Sequence, residues 1–392
     1  MKTKVSSLAI GMAKRRSHPR GRRLLLVNPS SLLGGAELIL ERLLDAVPGD
    51  EWQVTAAIPN GPLADRVQAR GVTVVAIPDL KLPGGPRLLA VARALGRAIR
   101  AARTIRRAAI GPDVVVANGI LALPAVRLAR PKAPVTLLVH DVLDRAALRA
   151  VLRLGAPVVD LAVAPSDAAA RPLRDRGLPT RVVPNGTPWP VDPARREAPS
   201  PPIVGEVAAL TSLKGQDVLL AAVARLPRRD VIVELVGEAL PKDGPYVADL
   251  HALVQRTGLE DRVRFLGRVD DPLERMRDWS VAVLPSVRPE SFGLAVLEAM
   301  SVGVPVIASD QGGPPEFVGE AGLLVGPGDA DELATAIARL LDDDALRAQC
   351  REAGPRLVAR GYTLQQQEAS LRSLLDEVTA RPRTQAAKAA VR

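Results

Sequence analysis

Two carboxylates eight residues apart and a glycine pair at a helix start are the groups in this sequence whose spacing could do chemistry. Glu290 and Glu298 lie in the stretch Pro289-Glu290-Ser291-Phe292-Gly293-Leu294-Ala295-Val296-Leu297-Glu298. An apolar run ends just before it, and the helix-forming residues after Gly293 predict a helix that starts near that glycine. A strand end, a carboxylate, exposed helical N–H groups and a second carboxylate about a turn and a half into the helix would then meet at one sheet edge. Amides at a helix N-terminus suit a phosphate. Carboxylates suit sugar hydroxyls, which donate charge-assisted hydrogen bonds to them. A second loop, from Asn28 to Glu37, carries Gly34 and Gly35 ahead of an apolar helical stretch. Such a pair either brings backbone amides close to an anion or makes a plain tight turn. His140 follows another apolar run, and reads either as a strand-end histidine satisfied by nearby backbone or as a site residue. Asn118-Gly119 lines the same edge or is a simple turn, Asp141 reads as a helix or loop residue rather than a base, and His251 sits in a surface-type helix.

The elements that must position these groups are legible as a repeating alternation. Short near-continuous apolar runs at 24–28, 53–58, 72–77, 113–117, 135–139, 161–165 and 181–183 are separated by helical patterns. This is the signature of parallel strands covered on both faces, hence of a doubly wound α/β domain. Residues 184–201 then hold six prolines, too many for a regular element. A second series follows at 203–207, 232–236, 263–266, 281–284, 304–308 and 323–325. The fold class expected is α/β, two Rossmann-like doubly wound parallel-sheet domains facing each other across a cleft. The domains run 22–185 and 202–362, with a Pro-rich linker at 186–201. A helix at 363–380 packs back towards the first domain, and basic tails lie at 1–21 and 381–392, the first read as disordered.

Composition narrows the function classes. The 392 residues are 47% hydrophobic and 24% charged, as in soluble globular proteins. The net charge of +10 suggests nucleic acid until it is located. Residues 1–23 hold eight Lys/Arg and no acid, and 381–392 hold four and no acid, which leaves 24–380 at −2. Aromatics are only 2%, so platforms for base stacking are scarce and nucleic acid is not an expected partner. The body is polarised, with +8 over 24–185 and −10 over 186–380, which points to two domains with different partners. One cysteine excludes an intrachain disulfide, and three scattered histidines disfavour a Cys/His metal cluster. No G-x-G-x-x-G follows the first strand, and no Gly-Lys dipeptide, G-x-S-x-G or H-E-x-x-H occurs. Dinucleotide, P-loop, α/β-hydrolase and zincin chemistries are therefore disfavoured.

The stretch ESFGLAVLEAMSVGVPV from Glu290 resembles the GT-B glycosyltransferases, in particular glycosyltransferase family 4, in its E-x7-E pattern followed by GVPV. The likeness extends to Gly34-Gly35-Ala36-Glu37, to Val139-His140-Asp141, to Pro184-Asn185-Gly186 at the hinge, to Lys214-Gly215-Gln216-Asp217 and to Ser309-Asp310-Gln311-Gly312-Gly313. The resemblance implies transfer of a hexosyl group, with retention, from a nucleotide diphosphate sugar held between the domains to a glycan or lipid-linked acceptor. It implies Glu290, Lys214 and His140 as catalytic residues and Gly34, Gly35, Ser291, Phe292, Gly293, Leu294 and Glu298 as donor-binding ones. Glu290 would contact the transferred hexose, amides around 292–294 the distal phosphate, Glu298 the ribose hydroxyls, and Lys214 the charge that builds on the leaving diphosphate. No cofactor and no metal is expected beyond the nucleotide diphosphate sugar as co-substrate. The chain departs from the family at Ala209, where an arginine usually lies five residues before the lysine; Arg288 is the candidate that would support the donor phosphate in its place. That departure keeps open a sugar-nucleotide-binding protein without transfer activity, and the two-domain shape also admits an epimerase.

Residues 86–109 contain seven arginines and no acid. Arg93, Arg97, Arg100 and Arg103 recur at helical spacing on one face, with Leu88, Leu95, Ile99, Ala102 and Ile105 falling largely elsewhere. Such a helix is either the solvated face of a core-packed element or a surface for anionic lipid headgroups. The basic N-terminus lacks the apolar core of a signal peptide. The expected location is cytoplasmic, peripheral at the inner face of the membrane if this helix binds lipid.

Overall fold

Seven short runs of aliphatic residues form one sheet in the computed structural model, which describes residues 21–380 apart from 33, 83–85, 144, 190–198 and 240–242. The tails, save Gly21, and the middle of the Pro-rich linker lie outside the described residues. The strands are β1 Arg22–Val27, β2 Trp52–Ile58, β3 Thr73–Ala76, β4 Val114–Asn118, β5 Val135–Leu138, β6 Leu161–Ala164 and β7 Thr180–Val182. They are all parallel, in the order β3-β2-β1-β4-β5-β6-β7. The second sheet holds β8 Ile203–Val207, β9 Ile232–Val236, β10 Val263–Gly267, β11 Val281–Leu284, β12 Val306–Ser309 and β13 Gly322–Val325. Its order is β10-β9-β8-β11-β12-β13, again all parallel.

The two-residue period of a strand explains why these runs are apolar throughout. Leu25 and Val27 enter the cluster on one face of the first sheet, while Leu24 and Leu26 enter the cluster on the other. In β11, Val281 and Val283 face one way and Ala282 and Leu284 the other. Both faces are covered by helices, as parallel sheets require. The strand order reverses between β1 and β4 in the first sheet and between β8 and β11 in the second. Crevices for ligands open at the carboxyl ends of strands at such points.

Two chain crossings tie the domains. The amide of Thr187 donates to Tyr362 O at 2.9 Å, and that of Leu364 donates back to Thr187 O at 2.9 Å. A Cβ on Gly186 would lie 2.3 Å from Thr363 O, so the close approach of the two crossings demands glycine there. The helix Leu364–Ala380 then lies on the first domain, where Leu371, Leu374, Leu375 and Val378 join Leu24 and Leu26 in one core. The arginine-rich stretch forms the helix Arg87–Ala108. Ala98, Ala101, Ala102 and Ile105 bury its inner face, whereas Leu95 and Ile99 remain 54% and 40% exposed. The apolar side chains of this helix therefore do not all turn inward.

Candidate active site

Lys214 and Glu290 come from different loops of the second domain and meet. Lys214 lies in the loop that leaves β8, one residue before Gly215, which precedes the helix Gln216–Arg225. Glu290 lies in the loop between β11 and the helix Leu294–Ser301. Lys214 Nζ donates to Glu290 Oε1 at 2.7 Å, with the lysine 30% and the glutamate 16% exposed. Ser286 Oγ donates to the same carboxylate oxygen. The backbone fixes this arrangement: Val287 N donates to Leu213 O at 3.0 Å, and Gly313 N to Glu290 O at 2.9 Å. Gln311 Nε2 donates to Ser286 O at 2.8 Å. At Gly312, with φ of +73°, a Cβ would sit 2.2 Å from Glu290 O. The second glycine pair is thus needed so that its loop can run directly against the Glu290 loop.

The helix after Glu290 presents its start to the same place. Gly293 is its N-cap, and the first-turn amides of any helix have no carbonyl of their own to bond. Phe292 is buried and stacks on Phe317 with ring centroids 4.7 Å apart, so its side chain anchors the loop and only its backbone is free to meet a ligand. Ser291 is held from across the domain gap, its carbonyl accepting from Ser166 Oγ at 2.6 Å. Leu294 packs partly buried against the second-domain core. Glu298 is pushed up to about 7 by burial, a shift opposed by the Arg42 guanidinium of the first domain and reinforced by Asp271. Arg42 also donates to Gly186 O at 2.6 Å.

The first domain contributes a separate polar group. His140 follows β5, and its Nε2 lies 2.6 Å from Asn118 Oδ1 at the end of β4. Burial pushes the imidazole down to about 4. Asn118 Nδ2 in turn reaches Asn28 Oδ1 at 2.6 Å, next to the loop that carries Gly34 and Gly35. The helix Gly35–Ala46 starts there with Gly34 as its N-cap. A Cβ would meet nothing within 4 Å at Gly35 and only Glu37 Oε2, at 3.2 Å, at Gly34. Protein packing therefore does not demand glycine at either position. Arg288 is exposed beside the Glu290 loop, and Ala209 offers only its carbonyl, which accepts from Gln216 Nε2 at 3.2 Å.

Sequence reasoning overlooked Glu206. This carboxyl lies on the central strand β8, 1% exposed, and accepts from Gln216 Nε2 at 2.9 Å. Burial pushes it well above the usual carboxylate range; Lys214 opposes the shift, while Glu290 and Asp217 add to it. The signal was an acid inside an apolar run. Glu234 in β9 gives the same signal with another meaning, because it is ion-paired with Arg275 and accepts from Trp279 Nε1 at 2.9 Å. Among the described residues no group of three or more His, Cys, Asp or Glu side chains is arranged to hold a metal ion.

Comparison with known proteins adds to this geometry. The Glycosyltransferase Family 4 model matches residues 33–188, and the Glycosyl transferases group 1 model matches 191–357. The lipopolysaccharide core biosynthesis glycosyltransferase LpsE of Rhizobium meliloti is 35% identical over 167 residues, 42% of this chain and 47% of that protein. The D-inositol 3-phosphate glycosyltransferase of Corynebacterium jeikeium is 35% identical over 184 residues, 45% of this chain and 43% of that one. The matched segments span less than half the length of these relatives. The structure of Anabaena HepE in complex with UDP-glucose is 25% identical, covers 91% of this chain and 99% of its own, and superposes with a TM-score of 0.78.

Proposed function

The chain belongs to the family 4 glycosyltransferases of GT-B fold, and from that premise we propose that it moves a hexosyl group, with retention, from a nucleotide diphosphate sugar to a glycan or lipid-linked acceptor. The observation that carries this reading is the Lys214–Glu290 pair at 2.7 Å beside the start of the helix Leu294–Ser301. The UDP-glucose bound by HepE supports a nucleoside diphosphate hexose as donor, and LpsE supports a lipid-borne glycan as acceptor. In this reading the bond from the anomeric carbon to the diphosphate oxygen breaks while the acceptor oxygen attacks from the same face. The acceptor's proton passes to the departing phosphate, so no separate strong base is required. Lys214 and the amides of residues 292–294 meet the charge on the diphosphate. Glu290 orients the hexose, Glu298 the ribose, and His140 faces the sugar from the first domain. The space at Gly34 and Gly35 admits the donor to the backbone of that loop. Lys214, paired with Glu290, is the cation this loop offers the diphosphate, since position 209 carries none.

The test is transfer from UDP-, GDP- and ADP-hexoses to a panel of glycolipid and glycan acceptors. Lys214→Ala should lower kcat by about 10²–10³-fold, the usual loss when one charge-stabilising donor is removed. The wild-type rate should be unchanged in EDTA, and the product should keep the donor's anomeric configuration. Donor binding without transfer or hydrolysis would instead favour a binding protein, and an epimerised donor without acceptor would favour an epimerase.

The partner surface proposed for the acceptor's lipid is the outer side of the helix Arg87–Ala108. Leu89, 55% exposed near its start, shares a face with exposed Arg93, Arg100 and Arg103, while Val91, 66% exposed, continues the inner stripe of Ala98 and Ala102 past the edge of the core. Among the described residues every strongly exposed large apolar side chain lies in the first domain, between Leu32 and Leu154. No helix among the described residues is long and apolar enough to cross a membrane. Apolar side chains interleaved with arginine and free of acid suit the interface of an anionic bilayer. The protein should co-sediment with anionic vesicles more than with neutral ones, and less as salt rises. Each of Arg100→Glu and Arg103→Glu should weaken recovery at least about fivefold, since one such charge contributes about 1 kcal/mol. Equal, salt-independent recovery from both vesicle types would retire this surface.

A further inference from the structure

Three polar side chains at the ends of adjacent strands form a chain with fixed direction. Asn28 follows β1, Asn118 ends β4 and His140 follows β5; the two asparagines are 0% and 2% exposed. The chain is anchored at two main-chain carbonyls, which can only accept. Asn28 Nδ2 donates to Ser30 O at 2.6 Å, so Asn28 Oδ1 is left to accept. Asn118 Nδ2 donates to that oxygen at 2.6 Å and to Ala36 O at 3.3 Å, so Asn118 Oδ1 must also accept. Its partner at 2.6 Å is His140 Nε2, which therefore carries a hydrogen. In a neutral imidazole the other nitrogen then bears a lone pair.

We propose that Asn28 and Asn118 are positioning residues that hold His140 in its Nε2–H tautomer and so present Nδ1 as a hydrogen-bond acceptor to a carbohydrate hydroxyl. The assignment of the carbohydrate rests on the donor and acceptor reading above; the tautomer rests on the geometry alone. Burial, which pushes His140 down to about 4, keeps the ring neutral at working pH. The acidic groups around the chain are Glu37, which accepts from the Asn28 side chain, and Asp141, which follows His140. A histidine held in this way accepts from a sugar hydroxyl; it is not a cation for phosphate.

The chain has three histidines, so protein labelled with ¹⁵N-histidine gives few signals, and a His140→Gln spectrum assigns the one of interest. His140 should show a protonated Nε2 and a free Nδ1, unchanged between pH 5.5 and 8. Asn118→Leu should convert this to a mixture of tautomers. Asn118→Asp places a carboxylate against the ring nitrogen, so it should move the imidazole's titration up into the neutral range and give the transfer rate a new ionisation there. A protonated Nδ1, a wild-type ring that titrates at its ordinary value, or an Asn118→Asp rate profile that superposes on the wild type would overturn the proposal. The spectrum of the wild-type protein decides the tautomer even if no transfer is detected, so failure of the transferase reading and failure of the relay are distinguishable.

Discussion

Glu298 lies where two demands on a carboxylate conflict. In the proposed donor role the carboxylate accepts from ribose hydroxyls most strongly when ionised, whereas burial favours the neutral form. Burial prevails over the pull of Arg42, and the group is pushed up to about 7 from an ordinary 4.5. Its folded-state value thus lies above its unfolded one. The stability linked to this group is fully present below pH 4.5 and is lost as pH rises towards 7, above which the loss is constant. Glu298→Gln cannot ionise and escapes that loss. Thermal melts should show the wild type falling relative to Glu298→Gln across that interval, with a constant gap at higher pH. A gap that does not change between pH 5 and pH 8 would mean that the carboxyl is not held in this environment. A nucleoside that donates to the carboxylate should draw the value down again, so binding near neutrality should release protons.

At the scale of elements, legibility follows from how local the determining interaction is. Among the described residues all thirteen strands coincide with apolar runs read from the sequence; in the central strands, such as β1, β4, β5 and β9, this is because a strand buried on both faces needs no partner to be recognised. The helix that starts at Gly293 is equally local, since its N-cap conformation is set by one residue. The Lys214–Glu290 pair lies 76 residues apart in sequence; the spacing of neither motif encodes it, and only the family likeness pointed to it. Glu206 was hidden by the strand that buries it. Asn118 was noticed only as a turn or a residue at the strand edge, because its direction comes from Asn28, 90 residues away. The helix Arg87–Ala108 shows the limit of periodicity in another way. Its arginine face was legible, but which apolar residues would pack was not. The core meets the helix at Ala98, Ala101, Ala102 and Ile105 and leaves Leu89 and Val91 near its start uncovered.

For the whole molecule, the question is what holds two domains with separate cores in this relation. The crossings at Thr187 and Leu364 are paired to each other and fix a hinge rather than an angle. Polar contacts also bridge the other side of the gap. The helix Asp167–Arg174 of the first domain has Glu316 of the second at its N-terminus. The two carboxylate oxygens accept from Asp167 N at 2.8 Å and Ala168 N at 2.7 Å. A carboxylate there satisfies unpaired amides and complements the helix dipole. The helix's own N-cap, Ser166, reaches back to Ser291 O, one residue from Glu290. The contacts that close the domains therefore also locate the loop that carries Glu290. A lost cap costs about 0.5–2 kcal/mol, enough to shift an open–closed equilibrium by roughly 2- to 30-fold and too little to unfold either domain. Glu316→Ala should raise the radius of gyration in small-angle scattering and increase the KM for donor, with a melting temperature close to that of the wild type. The Ser166→Ala variant should act in the same direction, since it removes a bond across the same gap. If both variants scatter and turn over like the wild type, the domains are held by something other than these bonds.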